Sequence, residues 1–591
     1  MANESFANSL VVAVNGQPLP ADVKAMLAVA YVDDSRNLPD MFVLRFRDPG
    51  GVVLGKAGFK VGAPVELKVQ TADPGGPQPL MSGEVTAVGL DLDRTGTFTE
   101  VRGYDHAHRL FRGRRVAVYP EMTVADVVRK VTTRAGLQAG RIDDVKGYGG
   151  TPHTQFGQDN VSDWEFLSRL ADAVGAQIAV VDKKLDFRLP EQPAAAPDQS
   201  AKAATDPLVL EAHRNLLSLR AGVTAAEQVP KVEVRGWDVQ AKQAITATEP
   251  PKHAGIEVPG ADPVKLASGF GSPPLVATTT KGTQGAATAM AKGLADEFGS
   301  ACVELDGVAK GNPKLRAGAQ VSLANVGEPF AGKYTLTNTK HLFSDEVGYT
   351  TEFSVSGRQE RSFYGLASGG RGGGSGGHGG LVTGIVSDVR DPAKLGRVKV
   401  TFPWLAQDYT SGWARMTEWG AGKDRGAMML PEVGDEVVVG FDHGDFDAPF
   451  VLGSLHNGKD TVPKFSKPVL DEGSGEVAVR GFVSRKAHKL EFVEADGITI
   501  ATGDGKFVIR LDQTKQTIEI TSGKEISVKA TNGITVDAGQ GPLQLTGQTV
   551  KVKATTEFTA EGATVAVKGQ GQAEFSASGA VTVRGGIVKI N

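Results

Sequence analysis

Apolar and polar residues alternate through the first hundred positions. Phe42, Leu44 and Phe46, then Val65, Leu67 and Val69, fall on every second residue, the period of a strand with one buried face. Turn signals at Asn15-Gly16 and Asp73-Pro74-Gly75 separate the runs, so a β-rich domain is predicted over residues 1–118. From Glu121 the period changes. Val124, Val127, Val128 and Val131 share one helical face, with Thr123 at the N-cap, Asp126 at the third helical position and Met122 placed to staple onto Val127. The same grammar recurs at 161–175. Ser162 and Glu165 form a capping box, Val161 and Phe166 a staple, and Trp164, Leu167, Leu170, Ala171 and Val174 point one way before Gly175 ends the run. Residues 119–190 are therefore predicted as a helix-containing segment.

After a Pro/Ala-rich stretch, alternation resumes and predicts a second β-domain over 208–365. Residues 366–380, LASGGRGGGSGGHGG, carry too little apolar surface to fold and read as a linker. From 381 to 457 the short strands LVTGIVSDV, GRVKVTF, DEVVVGF and PFVLGSL, broken by Gly, Pro and Asp turns, suit a small barrel of the OB type. A connector over 458–489 leads to a repeat over 490–591. Apolar-x-apolar triplets begin at Ile518, Ile526, Ile534, Leu543, Val550, Phe558, Val565, Ala573, Val581 and Val588, a period of about eight residues. One such strand per repeat is too little for a single chain to enclose a core. Three chains wound together supply three walls and leave no free strand edge. The expected core of such a trimer is Ile518, Ile526, Ile534, Leu543, Val550, Val565 and Val581; a single-chain solenoid or an aggregation-prone tail is the alternative.

Composition narrows the function. At 591 residues the chain is expected to hold three or four domains. Its 64 Lys plus Arg against 68 Asp plus Glu leave a net charge of −4, which offers no chain-wide attraction for nucleic acid or anionic membranes. A single cysteine, Cys302, excludes an intrachain disulfide framework and a thiolate metal cluster. The opening MANESFANSLVVAVNG has no basic segment and only a short apolar run, so no signal peptide is expected.

Four groups invite chemistry, and each has a plainer reading. His106 and His108 share a strand face without an evident third ligand and read as structural. Asp442, Asp445 and Asp447 have the oxygen density of a calcium loop without its spacing and read as a turn between strands. Trp404, Trp413 and Trp419 read as barrel filling or subunit packing rather than as stacking platforms. Arg109, Arg112, Arg114 and Arg115 read as a solvated face or intersubunit ion pairs. No nucleophile elbow, P-loop or HExxH occurs. No catalytic, cofactor-binding or metal-ligating residue is expected.

The stretch DVRDPAKLGRVKVTFPWLAQDYTSGWARM, followed by LPEVGDEVVVGFDHGDFDAPFVLGSLHNG, resembles the OB-fold signature of VgrG-type spike proteins and phage baseplate spikes. The resemblance rests on Asp391-Pro392, Gly396-Arg397-Val398, Phe402-Pro403-Trp404, Pro431, Gly434-Asp435-Glu436-Val437, Gly444-Asp445, Pro449 and Gly453-Ser454-Leu455. Upstream, YDHAHRL and SDWEFLSRLADAVGA resemble segments of tail hub proteins. The resemblance implies a mainly β multidomain fold: β-barrel hub domains with a small helical insertion, an OB-fold and a C-terminal intertwined trimeric β-helix.

The function it implies is that of a homotrimeric, non-enzymatic spike of a contractile injection system. The hub would join inner tube and baseplate proteins in a pseudo-sixfold ring, and the needle would meet the target membrane only by mechanical puncture. A PAAR-repeat tip protein would sit on Ile587, Val588 and Ile590, and effector cargo is a further expected partner. The protein would be made in the cytoplasm and reside in a phage-tail-like particle, released or delivered outside the cell; a type VI system and a free particle are not separated. Lys459 to Lys489 is too short to hold the lysozyme domain of some relatives, and no toxin domain is expected after the repeat. The rivals are a spike-associated peptidoglycan hydrolase and a β-helical adhesin or glycan-binding fibre.

Overall fold

The computed structural model describes residues 8–36, 38–71, 76–149, 155–198, 200–356 and 380–590. The Asp73-Pro74-Gly75 turn and the body of the Gly-rich linker lie outside the described residues. The chain divides into two compact units, Met1–Val462 and Pro463–Asn591.

The first unit is organised around an eleven-stranded sheet whose spatial order differs from its chain order. Starting from one edge it runs Leu216–Val223, Val303–Lys310, Gly348–Val355, Asn338–Ser344, Leu27–Ser35, Met41–Arg47, Gly96–Asp105, Gln78–Asp93, Pro64–Gln70, Ser9–Val14 and Gln17–Pro18. The two β-domains read separately from the sequence thus share one sheet. Their seam is the antiparallel pair in which Asn338 faces Ser35 and Ser344 faces Val29. The two-residue period does what it predicts: Phe42, Leu44, Phe46, Val65, Leu67 and Val69 are all buried. They share a core with Leu10, Val12 and Val101, while Leu305, Val321, Tyr334 and Phe353 build a second core on the other side of the seam.

Both predicted helices form, as Val124–Arg134 and Asp163–Val174. Thr123 Oγ1 accepts from Asp126 N at 3.1 Å; Ser162 Oγ accepts from Glu165 N at 3.1 Å, and Ser162 N donates to Glu165 Oε2 at 2.8 Å. These reciprocal bonds satisfy donors that a helix start otherwise leaves open. Gly175 ends the second helix in the left-handed region at φ 74°. A third long helix, Gln284–Ser300, lies where strands were expected. Its sequence QGAATAMAKGLADEFGS has too few large apolar residues to display a helical stripe. It packs instead by close backbone approach: a Cβ on Gly285 would stand 2.7 Å from Gly147 Cα, and one on Gly293 2.8 Å from Gly175 Cα. Only glycine fits such contacts.

Residues from 382 onward form a five-stranded barrel sheet in the order Lys399–Thr401, Val382–Asp388, Glu436–Phe441, Pro449–Ser454, Arg415–Met416. Val386, Val400, Val437, Val439 and Val451 fill it together with Phe402, Tyr409 and Phe446, whose ring centroids lie 5.1–5.8 Å apart. The three tryptophans, expected to fill this barrel or to pack between subunits, do not fill it. Trp404 lies at its surface with Nε1 donating to Thr383 O at 2.7 Å, Trp413 lies under Lys399 at 5.1 Å, and Trp419 is 86% exposed. The smaller rings already occupy the interior.

In the second unit Val479–Val483, Lys489–Val493, Gly497–Ala501, Phe507–Asp512 and Thr517–Ser522 pair in chain order as an antiparallel meander. The needle was expected to begin at 490, but residues 490–522 belong to this sheet, because hairpin pairing within one chain is available to them. From 524 to 590 the chain makes no strand pair with itself, and its residues are exposed throughout.

Candidate functional site: an open apolar face and a half-buried junction

One face of the meander is covered: Val479, Glu491, Val493 and Ala501 are buried there, and Glu491 accepts from Ser466 N at 2.9 Å and Lys489 Nζ at 2.7 Å. The other face is apolar and open. Register aligns Phe482, Leu490, Ile500, Ile509 and Ile520 in one cross-strand row, and Phe492, Ile498, Leu511 and Ile518 in the next. The octads extend this surface along the chain. Ile526, Ile534, Leu543, Val550, Val565 and Val581 are all more than half exposed, as are Val528, Val536, Leu545, Val552, Val567 and Val583 two residues on. Ile587, Val588 and Ile590 end the series, with Ile590 at 92% exposure. So long an apolar array, uncovered in one chain, marks an interaction surface. The meander rows escaped the sequence reading because they repeat across strands rather than along the chain, although the alternation of KLEFVEADGITIA was there to be read.

A second arrangement joins the OB barrel to the domain before it. The Asp442–Asp447 segment is a turn between two barrel strands, and it also reaches the helix-containing region. Lys281 Nζ lies 3.4 Å from Asp445 and 3.3 Å from Asp447, Thr280 Oγ1 donates to Asp445, and Gly157 N donates to Asp447 Oδ1 at 2.7 Å. Gln155 Nε2 adds a bond to Thr410 O at 3.0 Å. Burial pushes the Asp447 carboxyl up to about 6 against the pull of Lys281. Burial acts on Lys281 the other way, yet the two carboxylates outweigh it and hold the ammonium above the usual lysine value. Asp442 takes no part and faces His443 at 3.7 Å. Sequence reading recognised the turn and missed its partner, Lys281, which lies more than 160 positions away.

The histidine pair does gain a third neighbour. Glu84 lies 2.9 Å from His108 Nε2 and 3.9 Å from His106 Nε2, and Arg109 grips the same carboxylate through two nitrogens. Burial opposes the charge on Glu84, but Arg109 and His108 hold its carboxyl at about 2. Burial lowers both imidazoles. The carboxylate is thus already committed to an ion pair. Arg114 donates to Asn160 O at 3.1 Å, and Arg115 lies 3.7 Å from Asp163, so these members of the arginine cluster bind within the chain. Among the described residues no group of three His, Cys, Asp or Glu side chains is placed to hold a metal, and no helix is long and apolar enough to cross a membrane.

Comparison with known proteins meets this geometry at the OB barrel. A family model described as the Type VI secretion system/phage-baseplate injector OB domain matches residues 382–456, and a model for an Alg8 N-terminal domain matches residues 59–345. The type VI secretion system spike protein VgrG1a of Pseudomonas aeruginosa is 43% identical over 72 residues, 12% of this chain and 11% of that protein. VgrG5 of the same organism is 43% identical over 88 residues, 14% of this chain and 11% of its own length. The match thus spans about a tenth of these relatives. In fold, a solved structure of a PdpA-VgrG complex in its lidless form is similar over 88% of this chain and all of that one, with a TM-score of 0.50 and 7% sequence identity. The shared sheet, its helical insertion and the OB barrel define the fold class, mainly β and multidomain, similar to that solved structure. Its OB segment, residues 382–456, is similar to the OB domain of VgrG-type spike proteins.

Proposed function

We propose that three copies of this chain form the central, non-enzymatic spike of a contractile injection machine. In this reading the hub sheet docks on inner tube and baseplate proteins, the OB barrels form a collar, and the octads of three chains wind into a β-helical needle that punctures its target mechanically. The observation that carries the reading is the apolar array running from Phe482 to Ile590, which no described residue of the chain covers. Three chains related by a threefold axis would bury it and pair every strand edge, whereas a monomer would leave both to aggregation. The half-buried ion pair at the OB junction ties that barrel to the domain before it.

The octad of Ile587, Val588 and Ile590 presents an exposed apolar cluster in each chain. A flat, strand-rich base, such as that of a PAAR-repeat protein, is the partner such a cluster fits, through backbone pairing and apolar burial. Effector cargo is the other expected partner; a VgrG solved with PdpA is an instance of a spike holding another protein. The particle would be assembled in the cytoplasm and act outside it. The test is the native mass of the full chain. A trimer is expected, and a monomer under the same conditions would end this reading. Removing residues 585–591 should abolish capture of a PAAR-repeat protein while the trimer persists.

A further inference from the structure

From Val550 to Val583 the apolar triplets keep nearly the same combined bulk while exchanging its position. Most pair two aliphatic residues, as in Ile526/Val528, Leu543/Leu545, Val550/Val552, Val565/Val567 and Val581/Val583. Two do not. At Phe558/Ala560 the large residue comes first and the small one third, while at Ala573/Phe575 the order is reversed. Phenylalanine never shares a triplet with a second bulky side chain, and alanine at a first or third position is always paired with phenylalanine in the series from Ile518 to Ile590. Phe plus Ala carries about the same side-chain volume as the two valines of the flanking triplets, the compensation that a close-packed interior demands. A solvated face would need no such compensation. Both rings are largely uncovered in one chain, Phe558 at 68% and Phe575 at 72% exposure, so whatever matches them comes from outside it.

We propose that Phe558/Ala560 and Ala573/Phe575 are matching keys, which admit only further copies of this chain aligned level with level. This rests on the trimeric reading above. In an aligned assembly each of these levels holds one Phe and one Ala from every copy, arranged alike. If one copy slips by a single triplet, the summed bulk of each level is unchanged, but its Phe558 crowds the first-position Val550 or Val565 of its neighbours while its Ala560 leaves a void beside their third-position Val552 or Val567. The opposite orders at 558/560 and 573/575 matter for a second reason. A copy slipped by two triplets brings its Phe558 level onto the Ala573/Phe575 level of the others, and its ring then falls at the first position of the triplet where the others carry theirs at the third. Aliphatic triplets alone would not distinguish these states, since Val/Val at 550, 565 and 581 is repeated.

Two differently tagged full-length chains, co-expressed, test the keys. The altered chain carries the swaps Phe558→Ala/Ala560→Phe and Ala573→Phe/Phe575→Ala, which keep composition and bulk. Altered chains among themselves should trimerise as wild type does. Together with wild-type chains they should sort into separate trimers, so that recovery of one tag through the other falls at least several-fold below that of two wild-type chains. Recovery equal to the wild-type pair would overturn the proposal. If the double swap does not yield trimers, the single swap Phe558→Ala/Ala560→Phe is read the same way, with a smaller deficit. A wild-type chain that is itself monomeric would remove the trimeric reading, a result separate from failure to sort.

Discussion

His341 illustrates how burial sets the behaviour of one side chain. It lies fully buried on the seam strand Asn338–Ser344, with Nδ1 2.9 Å from Tyr349 Oη and 3.3 Å from Thr351 Oγ1. Burial holds its imidazole at about 4, although Asp34 and the Leu315 carbonyl pull upward. The unfolded chain therefore binds this proton from about pH 6.5 downward and the folded chain only near pH 4, so stability is lost as pH falls across that window, by about 3 kcal/mol in total. His341→Gln should remove this contribution, seen as the difference between the two proteins' pH profiles of hub unfolding. At the OB junction, Lys281→Met would strand Asp445 and Asp447 without their cation. A loss of about 1–2 kcal/mol is expected for this half-buried pair, measured by calorimetry as an OB transition that separates from that of the preceding domain. Lys281→Met combined with Asp447→Asn should recover part of it.

At the scale of elements, the capped helices and the Gly/Ala helix follow different rules. Val124–Arg134 and Asp163–Val174 are written in periodic apolar residues and caps, which act locally and so can be read locally. Gln284–Ser300 is determined by what lies against it. Its glycines matter because Gly175 and Gly147 approach them, and neither neighbour is near in sequence. Gly293→Ala should accordingly cost about 1–3 kcal/mol through a forced shift of the backbone, although alanine ordinarily favours a helix. Thermal unfolding of this variant beside Gly269→Ala, where the added Cβ meets nothing within 4 Å, separates packing from propensity. The meander belongs here too. Its strands alternate visibly, yet its open apolar face exists only once register places Phe482 beside Leu490 and Ile500.

For the whole molecule, the charge and bulk of the octads predict where association is vulnerable. Alternation puts Val552 and Val565 on the apolar side of their triplets and Lys551 on the other. Val552→Asp or Val565→Asp would place unpaired carboxylates in the shared core, a cost of several kcal/mol for each assembled trimer. The trimer should dissociate at micromolar concentration in sedimentation experiments. Lys551→Asp should leave it intact. Equal effects of the two kinds of substitution would argue against a core on the predicted side.

Periodicity alone determined much of this protein: the strands of the first β-region, two capped helices and the short strands of the OB barrel, because each follows from residues a few positions apart. The family signature in the OB segment was legible for the same reason, being a run of turn glycines, prolines and aspartates between short strands. Only the tertiary structure decided the rest. That the two β-domains share a sheet, that Asp445 and Asp447 meet Lys281, that Glu84 is already held by Arg109, and that Phe402, Tyr409 and Phe446 rather than tryptophans fill the barrel all follow from contacts between distant segments. Such contacts are selected by the packing of the whole fold and leave no period in the chain.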